Sequence, residues 1–178
     1  AAGLALSGCS GVRSVITSSP NFADLEARVG GRLGVAVVGA NRALLAGHRV
    51  DERFGMCSSF KMSLAGIVLR EADQGRANLA ELIRYSESDL LFNSPVTRAR
   101  LAEGAMSLRD LAEAAQITSD NAAANLLIAQ LGGPAAFTAR LREIGDDITR
   151  LDRIEPEMNY VRASAGDERD TTTPGAMA

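Results

Sequence analysis

Strand signal in this chain is confined to the region before Asp51. Leu33 to Val38 and Ala43 to Val50 read as strands, and Gly39-Ala40-Asn41 between them reads as a turn. From Ser58 onward the apolar pattern has helical spacing instead. An isolated two-stranded hairpin is marginally stable in water, so these strands need more sheet than the rest of the sequence announces. The first residue is Ala1, and Thr173-Pro174 reads as a helix entry four residues before the end, with Thr173 as N-cap. Together these features lead to the expectation of a partial chain, inactive when taken alone.

The helical segments are marked by their punctuation. Phe22, Leu25 and Val29 share one face of a helix that Gly30-Gly31 ends. Ser58 to Gly75 reads as one helix, with Leu64, Ile67, Val68 and Leu69 as its buried stripe. Leu79 to Ile83 reads as short and helical or turn-like, and Asp89 to Pro95 as a loop carrying Phe92 and Asn93. Ser107-Leu108-Arg109-Asp110 is a capping-box start for a helix through Ala115. Ala122 to Leu131 is a strongly apolar helix stopped by Gly132-Gly133-Pro134, and Pro134 to Ile144 is another, stopped by Gly145. Asp152 to Asp170 has proline, glycine and charges without periodicity, which makes it a long loop; such loops inside a domain carry function or are disordered.

With no Trp and few other aromatics, the core must be aliphatic. The formal net charge is −3 and Lys and Arg do not cluster, so no nucleic-acid partner is expected. One histidine, His48, lies in a strand-like run and reads as a half-exposed strand residue; with two widely spaced cysteines, no metal site and no cofactor are expected. Any chemistry must therefore use Ser, Lys and carboxylates.

Ala1 to Gly8 is small and apolar, like the end of a secretory leader, and Leu6-Ser7-Gly8-Cys9 resembles a lipobox that would make Cys9 a lipidation site. An ordinary signal peptide cleaved nearby is the alternative. Either reading implies export, to the periplasm of a bacterium, with or without a lipid anchor. Residues 1–20 are thus read as a leader remnant and linker, and 21–178 as a partial catalytic domain.

Three weak motifs carry the chemistry. Ser58 and Lys61 are three apart, so on a helix the lysine reaches the serine hydroxyl, and a serine at a helix start beside a lysine suits acyl transfer. Ser119-Asp120-Asn121 precedes the most apolar helix; it reads as a cap or as a hydroxyl and an amide projecting into a cleft. Glu155 and Asn159, four apart in the long loop around Pro156, suit a carboxylate and an amide holding a water between them.

In this order and approximate spacing the motifs resemble the class A serine β-lactamases. Arg53-Phe54-Gly55-Met56-Cys57-Ser58, Ser94-Pro95-Val96-Thr97, Asp152-Arg153-Ile154-Glu155-Pro156-Glu157 and Arg169-Asp170-Thr171-Thr172-Thr173-Pro174 also look like the family's signature stretches. The resemblance implies an α/β fold of the β-lactamase/transpeptidase type, with an N-terminal helix and hairpin, a helical subdomain over about 58–160 and an omega loop over about 153–170. It implies β-lactam antibiotics as substrates, no cofactor and a monomer when complete. Ser58 would be the nucleophile, Lys61 would assist proton transfer, and Ser119 would relay a proton to the leaving nitrogen. Glu155 and Asn159 would hold the hydrolytic water. Asn121 would position the substrate amide, and Arg153 with Asp170 would close the omega loop.

Departures from the family pattern bear on substrate profile. The Lys-Thr-Gly motif is absent from residues 1–178 and would lie beyond Ala178. Asn93 stands where an aromatic residue lining the cleft is expected, so it is taken as a substrate contact, with Phe92 beside it. Ile154 replaces the usual Trp, and Tyr160 to Ala165 looks slightly longer than usual. Cys57 is left open between a buried thiol and a partner beyond the end. The rival readings are a DD-peptidase, which shares Ser58, Lys61 and Ser119 but lacks the Glu155 apparatus, and a protein that binds β-lactams without releasing them.

Overall fold

The computed structural model describes residues 21–160 and 166–178. The leader-like segment with Cys9, and most of the loop stretch from Tyr160 to Ala165, lie outside the described residues.

Helix α1 (Phe22–Val29) starts on the Asn21 side chain, which accepts from Asp24 N, and stops at Gly30 in the left-handed conformation, φ 73°. Strands β1 (Val35–Val38) and β2 (Leu44–His48) pair antiparallel, Val35 opposite His48. Both are shorter than the apolar runs suggest. The Leu33 amide donates to Glu26 rather than to a strand, and Arg49, at φ 48°, turns the chain out of β2. Gly34 is required by close approach: a Cβ there would meet Phe54 and Pro174 at 2.6 Å. No residue of α1 is buried. The unit is held largely by charge: Glu26 accepts from Arg49, from His48 and from the Leu33 amide.

After β3 (Phe54–Gly55) the chain makes one 3₁₀ turn, Cys57–Ser59, before α2 (Phe60–Asp73) begins. The single expected helix therefore starts tighter than an α-helix. Cys57 sits in the left-handed region, φ 43°, and is exposed, which corrects the buried alternative; it forms no disulfide among the described residues. Beyond α2 come β4 (Leu82–Arg84), α3 (Pro95–Ala99), β5 (Ala105–Ser107), α4 (Leu108–Thr118), α5 (Asn121–Leu131) and α6 (Pro134–Glu143). Of the segment 79–83, expected to be helical or turn-like, Leu79 and Ala80 form a turn, but Leu82 and Ile83 belong to β4, which pairs with β5, Ile83 opposite Met106. A three-residue strand is too short to display alternation, and its partner lies across α3, so nothing local announces it.

The core sits where α2, α4, α5 and α6 meet. Ala122, Ala123, Ala124, Leu127 and Ile128 of α5 are buried nearly all round, and the alanines let neighbouring helices approach closely. Phe60, Leu64, Ile67 and Val68 of α2 pack against Leu108, Leu111 and Ala115 of α4. Phe60 and Phe137 meet edge to face at 6.4 Å. The long loop returns through β6 (Thr171–Thr172), paired with β3, and ends in α7 (Pro174–Met177), capped by Thr173. That ladder fixes the far end of the loop beside the turn that carries Ser58, and Arg150 N, donating to the Thr171 carbonyl, ties the near end to it.

Candidate active site

Lys61 is the hub. Its side chain is 2% exposed, and its Nζ lies 3.3 Å from Ser58 Oγ, 3.1 Å from Ser119 Oγ, 2.9 Å from the Ser119 carbonyl and 2.5 Å from Asn121 Oδ1. Glu155 Oε1 is 3.2 Å away. An ammonium has three protons, and four better-aligned acceptors already surround this one. Glu155 Oε1 accordingly makes no hydrogen bond among the described residues although it is buried. Burial pushes the Lys61 pKa below the ordinary lysine value, opposed by the negative charge of Glu155 and, more weakly, of Asp120.

Helix geometry explains the Ser58 end of the site. Ser58 lies in the 3₁₀ turn and is exposed, while Phe60 and Leu64 anchor the following turns in the core. Lys61, one turn after Ser58, therefore faces the serine from inside.

The α4–α5 corner delivers the second hydroxyl. Ser119 ends α4 in the left-handed conformation, φ 56°, a state that costs a non-glycine residue roughly 1–2 kcal/mol. Asp120, fully buried, caps α5 through Ala123 N at 2.9 Å. Its carboxylate also accepts from Val96 N, Thr97 N and the Thr97 hydroxyl, at 2.9–3.0 Å. Hydrogen bonds to a buried charge are each worth about 1.5–3 kcal/mol, enough together to hold the corner. The cap and the cleft readings of this motif thus coexist: Asp120 caps while Ser119 and Asn121 reach Lys61. Asn93 meets the same corner, its Nδ2 donating to the Ser119 carbonyl at 2.8 Å, whereas Phe92 is fully exposed.

The loop end is held by polar contacts. Asp170, fully buried and at φ 56°, takes Arg153 Nε at 2.5 Å on one oxygen and the Asp152 and Arg153 amides at 2.7 and 2.9 Å on the other. The Asp170 carbonyl accepts from Met56 N, two residues before Ser58. The Glu155–Pro156 peptide is cis. Asn159 Nδ2 donates to Glu155 Oε2 at 2.6 Å. Asn125 grips the Glu155 main chain on both sides, accepting from its N at 3.0 Å and donating to its O at 2.9 Å. Sequence reading missed Asn125. Its signal was available: an amide set among Ala and Leu in an apolar helix, four residues after Asn121 and so on the same face.

Ser58, Lys61, Ser119, Asn121 and Glu155 thus converge on one amine. Asn93 joins them through Ser119, and Asn159 through Glu155, while Arg153 and Asp170 stand behind the loop. Among the described residues no cluster of His, Cys, Asp and Glu has metal-ligating geometry. A separate cavity lined by Val68, Leu108, Leu127, Glu71, Arg76 and Arg140 lies toward the far ends of α2 and α5 and contains no serine, cysteine or histidine.

Comparison with known proteins bears on the same arrangement. The profile of the beta-lactamase enzyme family matches residues 19–178. Beta-lactamase L2 of Stenotrophomonas maltophilia is 50% identical over 165 residues, which are 93% of this chain and 54% of L2. Beta-lactamase AST-1 of Nocardia asteroides is 47% identical over 168 residues, 93% of this chain and 53% of its own length. The chain therefore spans about half the length of these relatives. Among solved structures, an ancestral (GNCA) class A beta-lactamase superposes with a TM-score of 0.83 at 54% identity, over 88% of this chain and 59% of that one. L2 complexed with relebactam gives 0.83 at 51% identity, over 93% and 60%. The fold matches the class A architecture over the part covered, and the chain belongs to the beta-lactamase enzyme family.

Proposed function

We propose that the protein to which this chain belongs hydrolyses β-lactam antibiotics through an acyl-enzyme on Ser58 and so confers resistance to them. The observation that carries this reading is one buried amine, Lys61 Nζ, within 3.3 Å of two serine hydroxyls and a carboxylate. Ser58 Oγ attacks the lactam carbonyl and gives its proton to Lys61 in that residue's neutral form, which burial makes more accessible by lowering the lysine pKa. The oxyanion that forms is met by the Ser58 N–H at the helix start. As the C–N bond breaks, the proton passes through the Ser119 hydroxyl to the leaving nitrogen. Asn121 orients the substrate amide, beside Lys61.

Release of the acyl group needs a base for water. Glu155 presents a buried oxygen with an open lone pair, and Asn159 sits on its other oxygen. Water gives a proton to Glu155 as it attacks the ester carbonyl; that proton passes through Lys61, 3.2 Å from Glu155 and 3.3 Å from Ser58, to Ser58 Oγ as it leaves, which restores all three groups. Arg153 and Asp170 close the loop that carries the base, the family's omega loop.

The same reading has the protein exported to the periplasm. It is supported by the apolar stretch before Cys9, with Cys9 either lipidated or removed with an ordinary leader.

The test is nitrocefin turnover by the full-length gene product, with intact-mass measurement of Ser58. Turnover with a transient adduct is expected. A lasting adduct without turnover points to a DD-peptidase or a binding protein, and no adduct at all removes the acyl-transfer reading.

A further inference from the structure

Asn93 occupies a place from which it could contact substrate, yet its hydrogen bonds run inward. Its carbonyl accepts from Asn121 N at 2.7 Å, and its side-chain Nδ2 donates to the Ser119 carbonyl at 2.8 Å. One residue therefore brackets the Ser119–Asn121 corner. Among the described residues the Ser119 carbonyl has two donors, Asn93 Nδ2 and Lys61 Nζ, the latter at 2.9 Å.

These two donors are not equivalent during a reaction. Lys61 has other acceptors in Ser58, Ser119 Oγ and Asn121 and an ion-pair partner in Glu155, and its bonds redistribute whenever it gains or loses a proton. The Asn93 amide is neutral at every working pH and keeps its two protons. Ser119 meanwhile holds a φ of 56°, a region that non-glycine residues populate sparsely and that the surroundings must enforce. Relaxation of Ser119 out of that region turns both of its backbone bonds, so it moves the peptide plane after Ser119 together with Oγ and carries the hydroxyl away from Lys61. Asp120 fixes the start of α5 on the far side of that plane through α3. Asn93 fixes the carbonyl itself.

We infer that Asn93 is a positioning residue: its side-chain amide holds the Ser119 carbonyl, and through it the Ser119 hydroxyl, against Lys61. The inference rests on the acyl-transfer reaction proposed above. It assigns the exposed Asn93 side chain to proton relay during acylation rather than to recognition of substrate.

The full-length gene product with Asn93→Ala or Asn93→Asp tests this by single-turnover stopped-flow with nitrocefin and by crystal structures of the free variants. Asn93→Ala is expected to slow saturated acylation about tenfold, the factor carried by one neutral hydrogen bond. The half-saturating substrate concentration should stay within about twofold. The separation of Ser119 Oγ from Lys61 Nζ should lengthen. Asn93→Asp, similar in shape but with an oxygen facing a carbonyl, should lose at least as much. A raised half-saturating concentration with unchanged saturated acylation would make Asn93 a substrate contact and overturn the inference. A lower melting temperature with unchanged acylation per titrated site would make it merely structural, which also overturns it. If wild type forms no Ser58 adduct, the reaction reading fails by itself, and an unmoved Ser119 in the variant crystals would still decide against Asn93.

Discussion

The two ends of the site are supported by different physics. At the nucleophile end, Ser58 and Lys61 ride on α2, whose Phe60, Leu64, Ile67 and Val68 are at most 3% exposed. At the base end, Glu155 rides on a loop whose described residues put Met158 into the core, with Leu151 buried just before it. Asp170, Asn125 and Asn159 supply the rest through hydrogen bonds. Apolar packing is non-directional and shared among many neighbours, so losing one contact costs stability before it costs geometry. A polar clamp is directional, so losing one partner moves the group it aims. The comparison implies that damage at α2 shows first in folding, and damage in the loop shows first in the rate of deacylation.

Leu64→Ala is expected to break the first half of that contrast most strongly. Leu64 is fully buried, and truncating a buried leucine costs about 2–5 kcal/mol. Thermal or denaturant unfolding of the full-length gene product should report that loss, while acylation per titrated site stays close to wild type. If acylation collapses with stability unchanged, packing is not what supports α2.

Asp170→Asn should do the reverse. It removes the Arg153 pair and sets an amide against two backbone N–H groups that the carboxylate accepted. A displacement of about 1 Å can cost roughly a hundredfold in rate, and here it should fall on deacylation. Rapid-mixing kinetics that separate the two half-reactions would check this. Equal losses in both would mean that the loop and α2 form one unit.

The smallest effects are in pH. Lys61 has a folded pKa below its unfolded one, because burial disfavours the ammonium. Its contribution to stability is therefore fully present above the unfolded value of about 10.5 and is lost as pH falls through the folded value. Asp152, hydrogen-bonded to Arg150, is also lowered, so its contribution is present above about 3.8 and is lost in more acidic solution. Unfolding measured against pH should lose its alkaline rise in Lys61→Met and part of its acid decline in Asp152→Asn. Unchanged curves in both variants would remove these groups from the stability account.

Much of this was legible in the chain. The periodic segments gave helices close to their observed bounds, because their amphipathic stripes and glycine stops are local. Ser58 with Lys61, and Glu155 with Asn159, could be paired by spacing alone. The short ladders β3–β6 and β4–β5 could not, since two- and three-residue strands show no period and their partners are distant. Nor could the exposure of Cys57, which follows from a left-handed backbone at a non-glycine position. The inward turn of Asn93 depends on where the α4–α5 corner lies in space. Asn125 was readable but overlooked, hidden by the apolar helix around it.

The central claim is that Glu155 serves the second half-reaction while Ser58 and Lys61 serve the first. Glu155→Gln in the full-length gene product isolates it. Intact-mass measurement after mixing with a penicillin should show rapid formation of an adduct on Ser58 and release slowed by roughly a hundred- to ten-thousand-fold, the range for loss of a positioned general base. Turnover at the wild-type rate with no accumulated adduct would contradict the account and leave Glu155 as an ordinary buried loop carboxylate.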